Sequence, residues 1–261
     1  MIKEKYPLYG YGNNLDEVQI ITLEEVDSTN NYARELSVRE IREEFVVVMA
    51  QAQTSGRGQR GNSWESEPGK NLLFSIRMNP VFLEVGNQFL LSQAMALSVQ
   101  EVLYDYVRSP YPRIKWPNDI YWNKKKLGGI LIETDLIGRQ VDTCIIGVGV
   151  NLNQEHFVSD APNPISVRKI TGYTCEPSTI LHKILQRFIY YYRQIEEGDT
   201  DSLIARYHKA LFRQVGYHKY RDSNGLFEAR IHRVEFDGHL VLEDLKGAMR
   251  TYGFKEVECV L

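Results

Sequence analysis

Between two apolar runs of strand length, Phe45 to Ala50 and Leu72 to Met78, the chain places Gly56-Arg57-Gly58-Gln59-Arg60-Gly61. Glycines free the backbone and let its N–H groups approach a ligand closely, and arginine adds a planar fork of donors suited to phosphate or carboxylate. The segment reads either as a mobile anion-binding loop, with Trp64 beyond it as a face for base stacking, or as a solvated surface turn. It also fits the dinucleotide fingerprint G-x-G-x-x-G, which counts only if a helix follows and an acidic residue lies about 20 positions on. Here Pro68-Gly69 marks a turn, a second strand follows, and Arg77 and Asn79 sit near the acidic position. The dinucleotide-binding reading fails.

The rest of the chain alternates between strand and helix patterns. Residues 1–19 are polar and turn-rich and read as a loosely ordered arm. Val18 to Val26 reads as a strand that runs into Asp27-Ser28-Thr29-Asn30-Asn31, where Ser28, Thr29 and Asn30 either cap a short helix or present hydrogen bonds to a small ligand. Gln88 to Val107 repeats Leu91, Met95, Val99, Val102 and Tyr106 at helical spacing, predicting one apolar face laid on a sheet. Short strands follow at Arg113 to Trp116 and Ile120 to Trp122, then an apolar strand from Lys126 to Glu133 and a buried one from Asp142 to Val150. After a Pro/Asn/Ser-rich loop, Ile180 to Ile195 and Asp201 to Leu211 read as helices. Beyond about Arg213, Asn224-Gly225, Asp237-Gly238 and Lys246-Gly247 separate apolar runs at 9 to 13 residues, a hairpin series typical of a small β barrel. The expected organisation is a mixed α/β domain over 1–212 and a small all-β domain over 213–261.

Composition narrows the partners. A net charge of −3 gives no general attraction to nucleic acid or anionic membrane, so any anion site must be local. No apolar run approaches the ~18 residues of a membrane span, and the first residues lack the apolar stretch of a secretory signal. Cys144, Cys175 and Cys259 are scattered, without a C-x-x-C pair, which argues against a disulfide framework or a zinc site and for a reducing cytoplasm.

Three further segments carry candidate chemistry. In Lys115-Trp116-Pro117-Asn118-Asp119, proline stiffens a turn between strands. The carboxylate of Asp119 beside the amide of Asn118 suits a metal–phosphate site or proton acceptance from an amine, or simply an Asx turn. Lys126 opens an otherwise apolar strand, so it lies at a solvated mouth or meets an anion, with Gly128-Gly129 permitting close approach of a ligand. Gly147-x-Gly149-x-Asn151 reads as a bulge with a structural Asn or as a groove wall.

Taken together, D-S-T-N, Q-T-x-G-R-G, Trp64, K-W-P-N-D, K-L-x-G-I-L-x-E and G-x-G-x-N, in this order and with eleven residues from Lys115 to Lys126, closely resemble the biotin–protein ligases. The resemblance covers about residues 20–155 by motif. It implies an α+β fold: a mixed sheet flanked by helices, related to class II aminoacyl-tRNA synthetases, followed by a small SH3-like β barrel. The implied activity joins biotin and ATP to biotinyl-5′-AMP and then passes the biotinyl group to a lysine of a biotin carboxyl carrier protein domain, with Mg²⁺ accompanying the triphosphate. By the same resemblance Ser28, Thr29, Asn30 and Gln53 bind the ureido end of biotin. Arg57, Gly58 and Gln59 wrap its carboxyl and phosphate region, with Gly128 beside them. Lys126, Arg57 and Asp119 serve catalysis. Arg57, Arg60, Trp64, Asn118, Lys126 and Asn151 meet ATP or the adenylate, and Asn118 and Asp119 meet Mg²⁺.

Gln59 departs from the family, which commonly has arginine directly after G-R-G. Lipoate–protein ligase shares the fold and the adenylate logic, but the G-R-G loop and K-W-P-N-D favour biotin. About 19 residues before the first strand are too few for the helix-turn-helix of the DNA-binding relatives, so no DNA and no membrane partner is expected, and the chain is expected to be a monomer or homodimer. A non-catalytic biotin-sequestering module is the remaining alternative.

Overall fold

The computed structural model describes residues 15–107, 109–158 and 163–261, with the side chain of Arg60 outside the described set. The first fourteen residues of the expected arm lie outside it too. Seven strands form one sheet in the order β1-β2-β3-β7-β6-β5-β4. They are β1 (Val18–Val26), β2 (Phe45–Gln53), β3 (Leu72–Met78), β4 (Arg113–Lys115), β5 (Asp119–Trp122), β6 (Lys125–Ile137) and β7 (Gln140–Val150). Only β1 and β2 run parallel, because the helix α1 (Thr29–Glu35) carries the chain back between them, whereas the other neighbours are antiparallel.

The two faces of this sheet differ. On one, Phe45, Val47, Phe74, Ile76, Cys144, Ile146 and Val148 join the main core. This face is covered by α2 (Phe89–Tyr106) over β4, β5 and β6 and by α4 (Pro177–Glu196) over β3, where Tyr192 packs edge-on against Phe45; α2 packs in turn against α4 and α5 (Asp201–Ala210). The expected one-sided α2 is instead buried at every residue from Phe89 to Leu103. Among the polar side chains this encloses, Glu101, 3 % exposed, accepts from the Tyr191 hydroxyl at 2.9 Å and pairs with Arg206 at 2.9 Å. On the other face α1 lays Ala33 and Leu36 over Val46, Val48 and Ile145. Arg77 reaches up from β3 to bond the carbonyls of Ala33 and Leu36 at 3.0 and 2.9 Å, satisfying the helix end.

The loop after β7 contains a single helical turn that periodicity did not predict, α3 (Val167–Thr171), capped by Ser166 Oγ accepting from Lys169 N at 3.2 Å. Past α5 the chain forms a second, five-stranded antiparallel sheet, β11-β10-β9-β8-β12. Its strands are β8 (His218–Asp222), β9 (Gly225–Val234), β10 (Leu240–Asp244), β11 (Met249–Tyr252) and β12 (Glu258–Cys259). This sheet docks on the first by named contacts. Trp116 Nε1 donates to the Gly238 carbonyl at 2.9 Å, His208 Nε2 accepts from Val234 N at 3.1 Å, and Phe254 packs against Phe89 and Trp116. No helix among the described residues is long and apolar enough to cross a membrane.

Candidate active site

A cavity of about 450 Å³ opens on the α1 face of the large sheet, with the second sheet as its far wall. Its floor is made by absent side chains. Register pairs Gly129 with Gly149, Leu131 with Gly147, and Ser75 with Gly147, so these residues share one face. A Cβ on Gly147 would lie 2.1 Å from Asn30 Oδ1, and one on Gly149 would lie 2.4 Å from Trp64 Cε2. The two glycines of G-x-G-x-N therefore make room for Asn30 and Trp64, about 7 Å apart along the strand. No bulge interrupts β7 at these positions: Gly147 and Gly149 line the cavity, whereas Asn151 does not.

One end of the cavity is a neutral hydrogen-bonding cluster. Ser28 sits at the N-cap position of α1, but its side chain makes no capping bond. Thr29 donates through N and Oγ1 to Gln53 Oε1 at 2.8 and 3.1 Å. Ser75 Oγ, fully buried on β3, lies 2.7 Å from Thr29 Oγ1 and 2.6 Å from Asn30 Oδ1. Thr29 and Asn30 thus turn their polar atoms to β2, β3 and β6, which leaves capping to the backbone.

Charged side chains complete the lining, Arg57 beside the neutral cluster and Lys126 beside Trp64. The glycine–arginine segment closes into a small hairpin: Gly58 N donates to Asn62 O at 2.6 Å, Trp64 N to Gly56 O at 2.8 Å, and Gln59–Gly61 form a 3-10 turn. Gly56 is required there, since a Cβ would meet Trp64 O at 2.5 Å. Arg57 projects from this hairpin and pairs with Glu133 at 2.8 Å. Lys126 Nζ lies 2.7 Å from Asp119 Oδ1 and 5.6 Å from the Trp64 ring. A bulge between β5 and β6 controls this lysine: Ile120 pairs with Gly128 but Tyr121 with Lys126, so Leu127 is the extra residue and Lys126 turns toward Gly129. Beside it, burial and then the Asp119 charge push the Tyr121 phenol far above its usual range, so it stays neutral.

Ser28, Thr29, Asn30, Gln53, Arg57, Gly58, Gln59, Trp64, Asn118, Asp119 and Lys126 all line the cavity. Two expected residues do not. Gly128 faces the core, where a Cβ would meet Gly149 O at 3.0 Å and Val150 Cγ2 at 3.6 Å, and the bulge gives its place to Gly129. Asn151, 3 % exposed, lies beyond the lining, its Nδ2 donating to Ile165 O at 3.2 Å and its Oδ1 without a partner among the described residues. Arg60 has its backbone in the 3-10 turn, and its expected role falls on a side chain outside the described set.

Ser75 and the wall from the second sheet were not singled out from sequence, and Gly129 and Glu133 entered there only as members of a motif, without a site role of their own. A serine within the apolar run of β3 was the available signal for the first. The wall includes Lys255, Val257 and Cys259, whose thiol burial pushes upward while Arg213 and Lys115 pull it down. Among the described residues no group of three or more His, Cys, Asp or Glu could hold a metal ion. Asp119 beside Asn118, with Asn118 Nδ2 committed to Ile130 O at 2.5 Å, fits a cation carried mainly by phosphate oxygens.

Residues 22–151 match the biotin/lipoate A/B protein ligase family. The bifunctional ligase/repressor BirA of Bacillus spizizenii is 31% identical over 235 residues, covering 87% of this chain and 70% of that protein. The biotin protein ligase of Aquifex aeolicus in complex with biotin and ATP superposes with a TM-score of 0.77 at 25% identity, over 92% of this chain and 99% of that one. The biotin protein ligase of Leishmania major in complex with biotinyl-5-AMP gives 0.61 at 25% identity, over 90% and 98%. The glycine-floored cavity and these likenesses agree, and the chain belongs, as a ligase enzyme, to the biotin/lipoate A/B protein ligase family.

Proposed function

We propose that this chain is an ATP-dependent biotin–protein ligase that forms biotinyl-5′-AMP and transfers biotin to a lysine of a carrier protein domain. The observation that carries the reading is the cavity's polarity. A neutral amide–hydroxyl cluster at Thr29, Asn30 and Gln53 lies at one end with Arg57 beside it, Lys126 lies at the other beside Asp119 and Trp64, and the glycine floor runs between them. A ureido group is neutral and hydrogen-bonding, and an acyl phosphate is anionic, so one ligand carrying both fits from end to end. The bound ligands of the two superposed enzymes support the same assignment.

In the first step a biotin carboxylate oxygen attacks the α-phosphorus of ATP and pyrophosphate leaves. Lys126 and Arg57 stabilise the charge that gathers there, and the enclosed cavity holds the partners in register. Mg²⁺ arrives on the triphosphate as part of the substrate. In the second step the carrier amine attacks the acyl carbonyl, AMP leaves, and Asp119 takes the amine proton as Lys126 turns to the departing phosphate. Asn151 Oδ1, without a partner among the described residues, serves the exocyclic amine of adenine after local rearrangement. The second sheet, as a separate SH3-like barrel over 213–261, closes the catalytic domain of 1–212, and the enzyme works in the cytoplasm without binding DNA.

Biotin-dependent exchange of labelled pyrophosphate into ATP, followed by labelling of a carrier domain in the same tube, tests this reading. Biotin binding without exchange would leave only a sequestering module. Calorimetry with biotin against lipoate decides the acyl substrate, and a gel shift at low salt with biotin and ATP checks the absence of operator binding.

A further inference from the structure

Glu133 ends the motif K-L-x-G-I-L-x-E, and the steps above leave it without a role. Its side chain is 20% exposed. Oε1 accepts from Arg57 Nη2 at 2.8 Å, and Oε2 accepts from Asn30 Nδ2 at 2.9 Å. Arg57 Nη1 lies 3.4 Å from Oε2 and donates to Asn31 Oδ1 at 2.8 Å. One carboxylate thus ties β6 to the first turn of α1 and to the glycine–arginine hairpin. Because Ser75 joins Asn30 to Thr29, and Thr29 bonds Gln53, polar contacts run unbroken from Arg57 to the neutral end of the cavity.

We infer that Glu133 is a positioning residue: it holds the Arg57 guanidinium for the ligand's anionic group and links that grip to the Asn30–Thr29–Gln53 cluster. Arg57 is 43% exposed and stands on a glycine-flanked hairpin, so without a tether it would sample many rotamers. Fixing the fork in advance removes part of the ordering an arginine undergoes when it meets an anion. The contacts to Glu133 and Asn31 use Nη1 and one Nη2 proton, leaving Nε–H and the second Nη2 proton for the ligand. The inference rests on the adenylate-forming reading, and its test has one arm that does not.

The experiment compares the full chain with Glu133→Gln, Arg57→Ala and the double variant. Glutamine keeps the size and an acceptor for Asn30 or Arg57 but removes the charge. The expected result is a KM for ATP raised about tenfold by Glu133→Gln with kcat changed less than about twofold, and a double variant no worse than Arg57→Ala alone. Independent, multiplying losses in the double variant would overturn the inference, as would an unchanged KM in Glu133→Gln. The second arm uses ligand-free protein: trypsin cleavage after Arg57 accelerates about fivefold or more in Glu133→Gln while Tm stays within about 2 °C. If the wild type forms no adenylate, the functional reading fails, and cleavage that is equally fast in both proteins overturns the tether on its own.

Discussion

Lys126 Nζ lies 2.7 Å from Asp119 Oδ1, brought there by a bulge that places the lysine against Gly129 rather than Gly128. Each of the two cations expected at the reacting group is therefore held against an internal carboxylate, Lys126 by Asp119 and Arg57 by Glu133. Both pairs are partly exposed, so their own contribution to stability is small. On the proposed function their consequence is orientation: each cation is already aimed when the ligand's anion arrives.

Lys126→Ala is expected to slow adenylation by about 10² to 10³-fold, the usual loss for one donor aimed at developing charge. Asp119→Asn slows amine transfer by about 10² to 10⁴-fold and adenylation much less, if the carboxylate accepts the amine proton. Separate pH–rate profiles of the two half-reactions check this. A loss confined to adenylation and relieved by excess Mg²⁺ would assign Asp119 to the metal–phosphate instead.

Arg57→Ala reduces pyrophosphate exchange by about 10²-fold or more. Gln59→Ala has a milder effect of at most about tenfold, since it removes only a neutral hydrogen-bonding group from the lining. Equal losses in the two variants would contradict the ranking and make Gln59 the functional substitute for the arginine common in the family.

Gly149→Ala forces a methyl to within 2.4 Å of Trp64 Cε2. Overpacking of this kind costs about 1–3 kcal/mol, and for a chain of this size each kcal/mol lowers Tm by about 2–4 °C. Calorimetry and tryptophan fluorescence read the two consequences, lost stability and a displaced indole. An unchanged Tm with an unchanged emission maximum would show that Trp64 does not rest on the floor.

His208 links α5 to the second sheet by accepting the Val234 N–H at Nε2, which requires a neutral ring. Burial lowers its pKa from the model-peptide value of 6.5, while the Val234 bond opposes that shift. The folded state therefore binds fewer protons than the unfolded chain between the two pKa values. Stability from this group is fully present above pH 6.5 and declines as pH falls toward the folded pKa. Tm measured from pH 7.5 to 5 shows that decline, and His208→Gln, which can accept the bond but does not titrate, flattens it.

Much of the framework was legible because it depends on local periodicity. The runs Val18–Val26 and Leu72–Met78 are strands with those limits, since β-branched and aromatic residues fit a pleated surface. Lys126 and Asp119 were both singled out, yet nothing local says that they touch. Alternation pairs Lys126 with Gly128, and only the bulge at Leu127, set by how β5 docks on β6, sends it to the other face. The full burial of α2 was also missed, because its polar residues find partners such as Tyr191 and Arg206 far along the chain.

The sequence by itself determined most of the elements (though not α3), their order, the change from helices to hairpins after Leu211, and an ordered set of motifs specific enough to name a family. Those signals survive in one dimension because backbone sterics and side-chain periodicity act over a few residues. Tertiary structure alone decided that Gly147 and Gly149 make room for Asn30 and Trp64, that Gly129 faces the cavity in place of Gly128, and that Glu133 grips Arg57. Each depends on register between strands and on contacts as much as 103 residues apart, as between Asn30 and Glu133. Such pairings are fixed only when the sheet closes and one face of every strand is committed to the core.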